Sequence, residues 1–436
     1  MPTLTRSVAR RWPPRAHFVC YDSADIESSQ CPCQVTLRLV GPSDGRLLVQ
    51  KADRLGKLPP YLFVTIRNKI REARERGVDV ISLGVGDPDQ PTPAHVIQAL
   101  QQAAEDPANH QYPTDEEKGM LRFRQSVAGW YKERFNVSLN PETEVLALIG
   151  SKEGNHHLCL ATLNPGDTAI LPDPGYPAYF ASAVFAGAEV ERIPLSRVDG
   201  FLPRFDKISD ELSKKAKLLF LCYPNNPTGA VAPLSFWQEA VAWAKQYDVI
   251  LVNDHPYSEV TFDGYRSVSI LEADGAMDVA VEFNSLSKPY NMTGWRIGMA
   301  VGNSDLIAGI SQSKENTDSG VFNAIQYAGI AALEGPQEQS RDLMQLYQAR
   351  RDRTLATLRA IGLDPDVPKA TFYVWSPTPK GMSSADFAAE VLDKAGVVVT
   401  PGRGYGERGE GFFRISLTVA DARLDEALER IKQAFA

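Results

Sequence analysis

Short apolar runs that each end in a polar cluster fill the middle of this chain, and they constrain its fold more than any other feature. Val145-Leu146-Ala147-Leu148-Ile149 runs into Gly150-Ser151-Lys152-Glu153-Gly154. Leu218-Leu219-Phe220-Leu221-Cys222 precedes Asn226-Pro227-Thr228-Gly229. Val249-Ile250-Leu251-Val252 precedes Asp254 and Tyr257, and Val279-Ala280-Val281-Glu282-Phe283 leads into Ser285-Leu286-Ser287-Lys288. Runs of this kind suit strands buried on both faces. Between them lie helical spacings, such as Phe123, Val127, Trp130 and Tyr131 within 121–135, and a helix opened by Pro233 that reaches Gln246. Strand and helix in alternation predict an α/β protein with a mostly parallel sheet from Pro93 to roughly Glu315. Open sheets of this class place ligands beyond the carboxyl ends of their strands, where these polar clusters fall.

Further strands are expected at Asp167–Leu171 and Ile297–Val301, then a largely helical stretch from Gly320 to Ile361. Phe372–Trp375 and Phe412–Leu417 read as strands, and a last helix starts at Asp421. A chain of 436 residues suits two domains. Its net charge of -8, with no basic stripe, argues against nucleic acid as a partner. No apolar run approaches the ~20 residues that a membrane helix needs.

Residues 1–50 have a different character. Arg6, Arg10, Arg11 and Arg15 occur with no acidic residue before Cys20. Such a start is either an organellar transit peptide or, more blandly, a mis-called upstream start codon or a disordered tail, and the bland reading is the expectation. Cys31-Pro32-Cys33 lacks a second cysteine pair, so no zinc site is expected. Cys159 and Cys222 lie in apolar surroundings and fit a reduced, cytoplasmic protein.

The chemistry centres on Lys288. It follows two hydroxyls, Ser285 and Ser287, and Arg296 lies in Gly294-Trp295-Arg296-Ile297-Gly298 a short loop later. A lysine whose ammonium sheds its proton on desolvation suits imine formation with an aldehyde cofactor, and the neighbouring donors suit its phosphate. Alone, a lysine before a proline in a polar loop is as a rule merely solvated; the other clusters change that reading. Gly150-Ser151-Lys152 ends a strand and opens a helix, so its amides face an anion. Arg414, alone in a strand of aromatic and β-branched residues, is costly unless paired, which suggests a ligand carboxylate.

In order and spacing these clusters resemble the fold-type I pyridoxal-phosphate aminotransferases (class I/II), most of all the LL-diaminopimelate aminotransferase branch. The similarity runs from about Lys51 to the C-terminus. It implies a large domain over 93–330 with a mostly parallel seven-stranded sheet, and a smaller α+β domain from 51–92 and 331–436. It implies pyridoxal 5'-phosphate held by Lys288 as a Schiff base, with Ser151, Lys152, Ser285, Ser287 and Arg296 at the phosphate. Asp254 would keep the pyridine nitrogen protonated, while Asn226 and Tyr257 hydrogen-bond the ring's phenolic oxygen. Tyr176 would stack on the ring. Arg414 would clamp the substrate carboxylate, with Tyr61, Gly86, Lys152 and Asn226 also at the substrate. Tyr112 would reach the phosphate of a neighbouring subunit, making a homodimer with shared sites.

The expected reaction is ping-pong transamination, with Lys288 carrying the proton between Cα and the cofactor. LL-diaminopimelate with 2-oxoglutarate is the leading pair, which implies lysine biosynthesis; alanine- or aspartate-type exchange is the alternative. Aspartate-specialised relatives often place an arginine where this chain has only Lys314 between Ser311 and Asn323. A lyase or decarboxylase on the same scaffold is a rival. So is a regulator carrying such a domain, but residues 1–50 are too short and too Pro-interrupted for a DNA-reading helix-turn-helix. Gly404-Tyr405-Gly406-Glu407-Arg408-Gly409 matches a dinucleotide fingerprint but precedes a strand. His156 and His157 are adjacent on a helix, a poor metal pair, and no metal is expected. His255 either tunes the ring's surroundings or is simply tolerated.

Overall fold

The computed structural model describes residues 50–113 and 118–436. The expectations for the N-terminal arginines, Cys20, Cys31 and Cys33 fall outside the described residues. Residues Ala52–Ala436 form one compact unit. At its centre is a seven-stranded sheet. Its strands are β1 (Val145–Leu148), β2 (Thr168–Asp173), β3 (Glu189–Pro194), β4 (Ala216–Leu221), β5 (Ile250–Asp254), β6 (Ala280–Ser285) and β7 (Gly298–Gly302). They lie in the order β1-β7-β6-β5-β4-β2-β3. All neighbours are parallel except β7, which runs against both β1 and β6.

The apolar runs divide their side chains between two cores with period two, as a sheet covered on both faces demands. Val145, Ala147, Leu219, Leu221, Leu251, Met299 and Val301 join one core with helices Leu121–Phe135, Leu234–Tyr247 and Asn323–Glu334. Leu146, Leu148, Leu218, Phe220, Val252, Val281 and Phe283 join the other. That face is covered by helices α1 (Ser151–Thr162), α2 (Pro177–Ala186) and α3 (Ser304–Glu315). The anticipated strands and helices are present, with most ends moved by no more than a residue or two.

A further core gathers Ile81, Leu83 and the C-terminal segment, including Leu343, Tyr347, Phe372, Phe413 and Leu424, with Tyr257, Val260 and Phe262 packed among them. Here β8 (Tyr373–Pro377), β9 (Thr400–Pro401) and β10 (Phe412–Ser416) make an antiparallel sheet in the order β9-β10-β8. Among the described residues no helix is long and apolar enough to cross a membrane.

Candidate active site

Chain direction decides what reaches the sheet's carboxyl edge. Asp254 is the last residue of β5 and Ser285 the last of β6. Ile149–Ser151 follows β1, Pro174–Tyr176 follows β2, and Tyr223–Asn226 follows β4. Because β7 is antiparallel, its first residue, Gly298, pairs with both Ser285 and Leu148, so Arg296 arrives at the same edge. These segments line one cavity of about 310 Å³ that holds Tyr61, Gly86, Ser151, Lys152, Tyr176, Asn226, Asp254, Tyr257, Ser285, Ser287, Lys288 and Arg296. Two expected residues are not on its wall. Arg414 lies behind Asn226, and Tyr112 is 76% exposed elsewhere.

Lys288 is half-buried, and its Nζ donates to the Gly86 carbonyl at 3.3 Å. Burial brings its pKa down from 10.5 to about 8; Arg296 and Arg414 push the same way, against Asp87 and Asp254. About a tenth of the amine is therefore neutral at pH 7, far more than at the ordinary lysine value, and the neutral amine is the nucleophilic form. Gly86 has no alternative side chain here: a Cβ would stand 2.1 Å from the Tyr373 hydroxyl.

Asp254 is buried. Its Oδ2 accepts from Tyr179 at 2.8 Å and from Asn155 Nδ2 at 3.5 Å, while among the described residues Oδ1 has no partner. Burial lifts the carboxyl to about 6, and the Tyr179 and Asn155 hydrogen bonds hold it back from rising further. An orphaned, buried carboxylate oxygen costs free energy unless a donor meets it. A protonated ring nitrogen is such a donor, so this atom fits a pyridinium.

The turn after β1 suits a phosphate. Gly150 adopts φ +84°, and a Cβ there would stand 2.2 Å from Arg296 Nη2, so only glycine lets the guanidinium lie against the turn. Arg296 is held by the Thr293 carbonyl at 2.9 Å and the Ile149 carbonyl at 3.2 Å. Ser151 opens α1, so its free amide and the helix dipole point at the same spot. Ser285 Oγ already accepts from the Ser287 amide at 3.2 Å, which closes the lysine loop. Lys152 sits over the Tyr61 ring, 4.8 Å from its centroid, and donates to its hydroxyl at 3.1 Å.

Arg414 is fully buried. It donates to Asn226 Oδ1 at 2.7 Å and to the Gly84 carbonyl at 2.9 Å, and lies 3.8 Å from the Tyr373 ring centroid. Among the described residues no carboxylate pairs with it, and its Nε lacks a partner. The Asn226 oxygen is thereby committed, which leaves its amide nitrogen to donate into the cavity. Tyr257 is buried with its hydroxyl 3.2 Å from that of Tyr373.

His255, for which the sequence left two readings open, acts on Asp254 only through its charge. Strand alternation turns it to the opposite face from Asp254. There its Nδ1 stands 3.0 Å from buried Glu282 and its Nε2 2.8 Å from Ser267 Oγ, so it lines no part of the cavity. Lys314 offers nothing to a substrate either, since Glu153 and Asp318 surround its ammonium. Tyr179, Asn155, Tyr373 and Arg67 escaped the sequence reading; the first two hold Asp254, and Tyr373 and Arg67 line the cavity. Asn155 lies one helical turn after Ser151, which was the available signal.

The arrangement joins a half-buried amine, an orphaned carboxylate oxygen and an anion cradle in one cavity. Comparison with known proteins places it. Residues 78–431 match the family model described as aminotransferase class I and II. The chain is 54% identical over 385 residues to the LL-diaminopimelate aminotransferase of Moorella thermoacetica, covering 88% of this chain and 98% of that one. The enzyme of the same name from Syntrophobacter fumaroxidans is 54% identical over 383 residues, with the same coverages. The apo structure of BacF from Bacillus subtilis superposes with a TM-score of 0.85 at 37% identity, over 89% of this chain and 99% of that one. The chain therefore belongs to the aminotransferase class I and II family and is a pyridoxal-phosphate-dependent aminotransferase.

Proposed function

We propose that the protein exchanges an amino group between LL-diaminopimelate and a 2-oxo acid such as 2-oxoglutarate, by a ping-pong course, in a cytoplasmic route to lysine. The orphaned Oδ1 of Asp254, facing the cavity that holds the Lys288 amine, is the observation that carries the mechanism. The substrate assignment rests on relatives of that name that span nearly the whole described chain.

When bound, the cofactor supplies an electron sink for negative charge at the substrate's Cα. Asp254 holds the proton on the ring nitrogen. The Asn226 amide and the Tyr257 hydroxyl donate to the ring's oxygen, and Tyr176 packs against the ring face. Ser151, Ser285, Ser287, Arg296 and Lys152 grip the phosphate or its surroundings. Lys288 would serve as the base for the substrate's Cα proton, and its lowered pKa supplies the neutral amine that this needs. Arg414, whose Nε lacks a partner among the described residues, would bind the α-carboxylate while its bond to the Asn226 oxygen keeps that amide oriented. Tyr61 and Gly86 flank the substrate. Tyr112, exposed here, serves the phosphate of a second copy in a homodimer.

The proposed domains are 51–92 with 331–436, and 93–330. Strict aspartate specificity is disfavoured, because Lys314 is engaged in ion pairs. A panel of amino donors and 2-oxo acids tests the substrate. The proposal expects the highest kcat/KM with LL-diaminopimelate; a preference for alanine or aspartate by about tenfold or more would overturn it. Lys288→Ala should lower turnover by several orders of magnitude, and near-normal turnover would refute the role given to that amine.

A further inference from the structure

Behind the turn Gly150–Lys152 lies a buried cation that the chemistry above does not use. Lys314, in the last turn of α3, is 1% exposed. Its Nζ donates to Glu153 Oε1 at 2.7 Å and to both oxygens of Asp318 at 2.8 Å. The other Glu153 oxygen accepts from the Ile149 amide at 2.7 Å, which ties this carboxylate to the turn itself. Asp318 Oδ1 also accepts from the Gly320 amide at 2.8 Å. His157, whose pKa is lowered chiefly by burial, stands 3.6 Å from Asp318 and 3.9 Å from Glu153. Glu153, His157 and Asp318 are residue types that bind metals, but the ammonium already pairs with both carboxylates and His157 Nδ1 meets Ser313 Oγ at 2.9 Å.

The charges have a consequence for the neighbouring anion site. Glu153 lies in the first turn of α1 and Asp318 packs behind it. Carboxylates there favour the helix but repel a phosphate placed at the same N-terminus. A single ammonium bonded to both offsets that repulsion and holds Glu153 where it closes the turn. We propose that Lys314 is a positioning residue for the phosphate cradle: its buried ammonium neutralises and fixes Glu153 and Asp318 behind Gly150–Lys152, and thereby sets the affinity for the cofactor's phosphate. The inference rests on that turn being the phosphate site.

Titration of cofactor-free full-length protein with pyridoxal phosphate and with pyridoxal, followed by visible absorbance, tests it. Wild type should prefer pyridoxal phosphate strongly; equal affinity for the two would show that the turn is not the phosphate site, and the inference would fall with it. Lys314→Met should weaken pyridoxal phosphate by about tenfold or more and leave pyridoxal within about twofold. A general packing defect would instead weaken both equally, and that result, or an unchanged ratio, overturns the proposal while sparing the assignment of the turn. Adding Glu153→Gln to Lys314→Met should recover part of the loss. Glu153→Gln alone keeps the lysine and removes one negative charge, so it serves if Lys314→Met does not fold. It should tighten pyridoxal phosphate relative to pyridoxal, and weaker relative binding would contradict the proposal.

Discussion

Asp254 and Lys288 are both shifted toward the uncharged form by burial, and each shift has a measurable sign. The folded Asp254 carboxyl keeps its proton up to about pH 6, whereas an unfolded one releases it near 3.8. Between those values the folded state binds more protons, so its contribution to stability falls as pH rises and the penalty is complete above 6. Asp254→Asn should therefore raise the melting temperature of the cofactor-free protein at neutral pH by a few degrees, an advantage that fades below about pH 4. The same variant should lose on the order of a hundredfold or more in kcat, because a neutral amide does not hold the ring proton. A destabilised variant with normal kcat would contradict both statements. For Lys288, cofactor uptake by the stripped enzyme should rise about tenfold per pH unit and level off above about 8. An inflection near 10.5, the ordinary lysine value, would show that the amine is not desolvated.

At the scale of elements, the turn between β1 and α1 depends on one backbone conformation. Gly150→Ala would force a left-handed φ on alanine and drive its Cβ into Arg296. We expect a loss of about 1–3 kcal/mol in stability and a weakening of pyridoxal phosphate binding by about tenfold, read by thermal melting and cofactor titration; unaltered binding would count against the cradle. Much of this element was visible in the chain itself, because a buried strand ending in Gly-Ser-Lys before a helix announces both strand and anion site. Other features were not. The reversal of β7 cannot be read from Ile297–Val301, since an apolar run has the same composition in either direction, yet that reversal delivers Arg296. The side that His255 faces depended on strand register. The partners of Asp254 come from two helices, and Tyr179 and Asn155 carry no local mark of that duty. Arg414 was legible as an unpaired buried cation, but its place behind Asn226 needed the packing of β10 against Gly84 and Tyr373.

For the whole molecule, the resemblance implied a mostly parallel seven-stranded sheet and the sheet has that form, although no apolar run announced its edge strand Glu189–Pro194, while the proposed sharing of the site between two copies is a matter of assembly. Tyr112 is exposed and does not line the cavity of its own chain. If it serves a second copy, mixing Tyr112→Ala with Lys288→Ala should restore activity, because a mixed dimer contains one site with both residues intact. Statistical mixing predicts about a quarter of wild-type activity. No gain over the separate variants would show that each chain completes its own site.

The central claim is that the ε-amine of Lys288 and the carboxylate of Asp254 hold pyridoxal phosphate between them. Borohydride reduction of the cofactor-loaded protein, followed by peptide mapping, tests this most directly. The account predicts a stable label on Lys288 in wild type and its loss in Lys288→Ala. A label on Lys152 or Lys314 instead, or none at any lysine after saturation with cofactor, would contradict it.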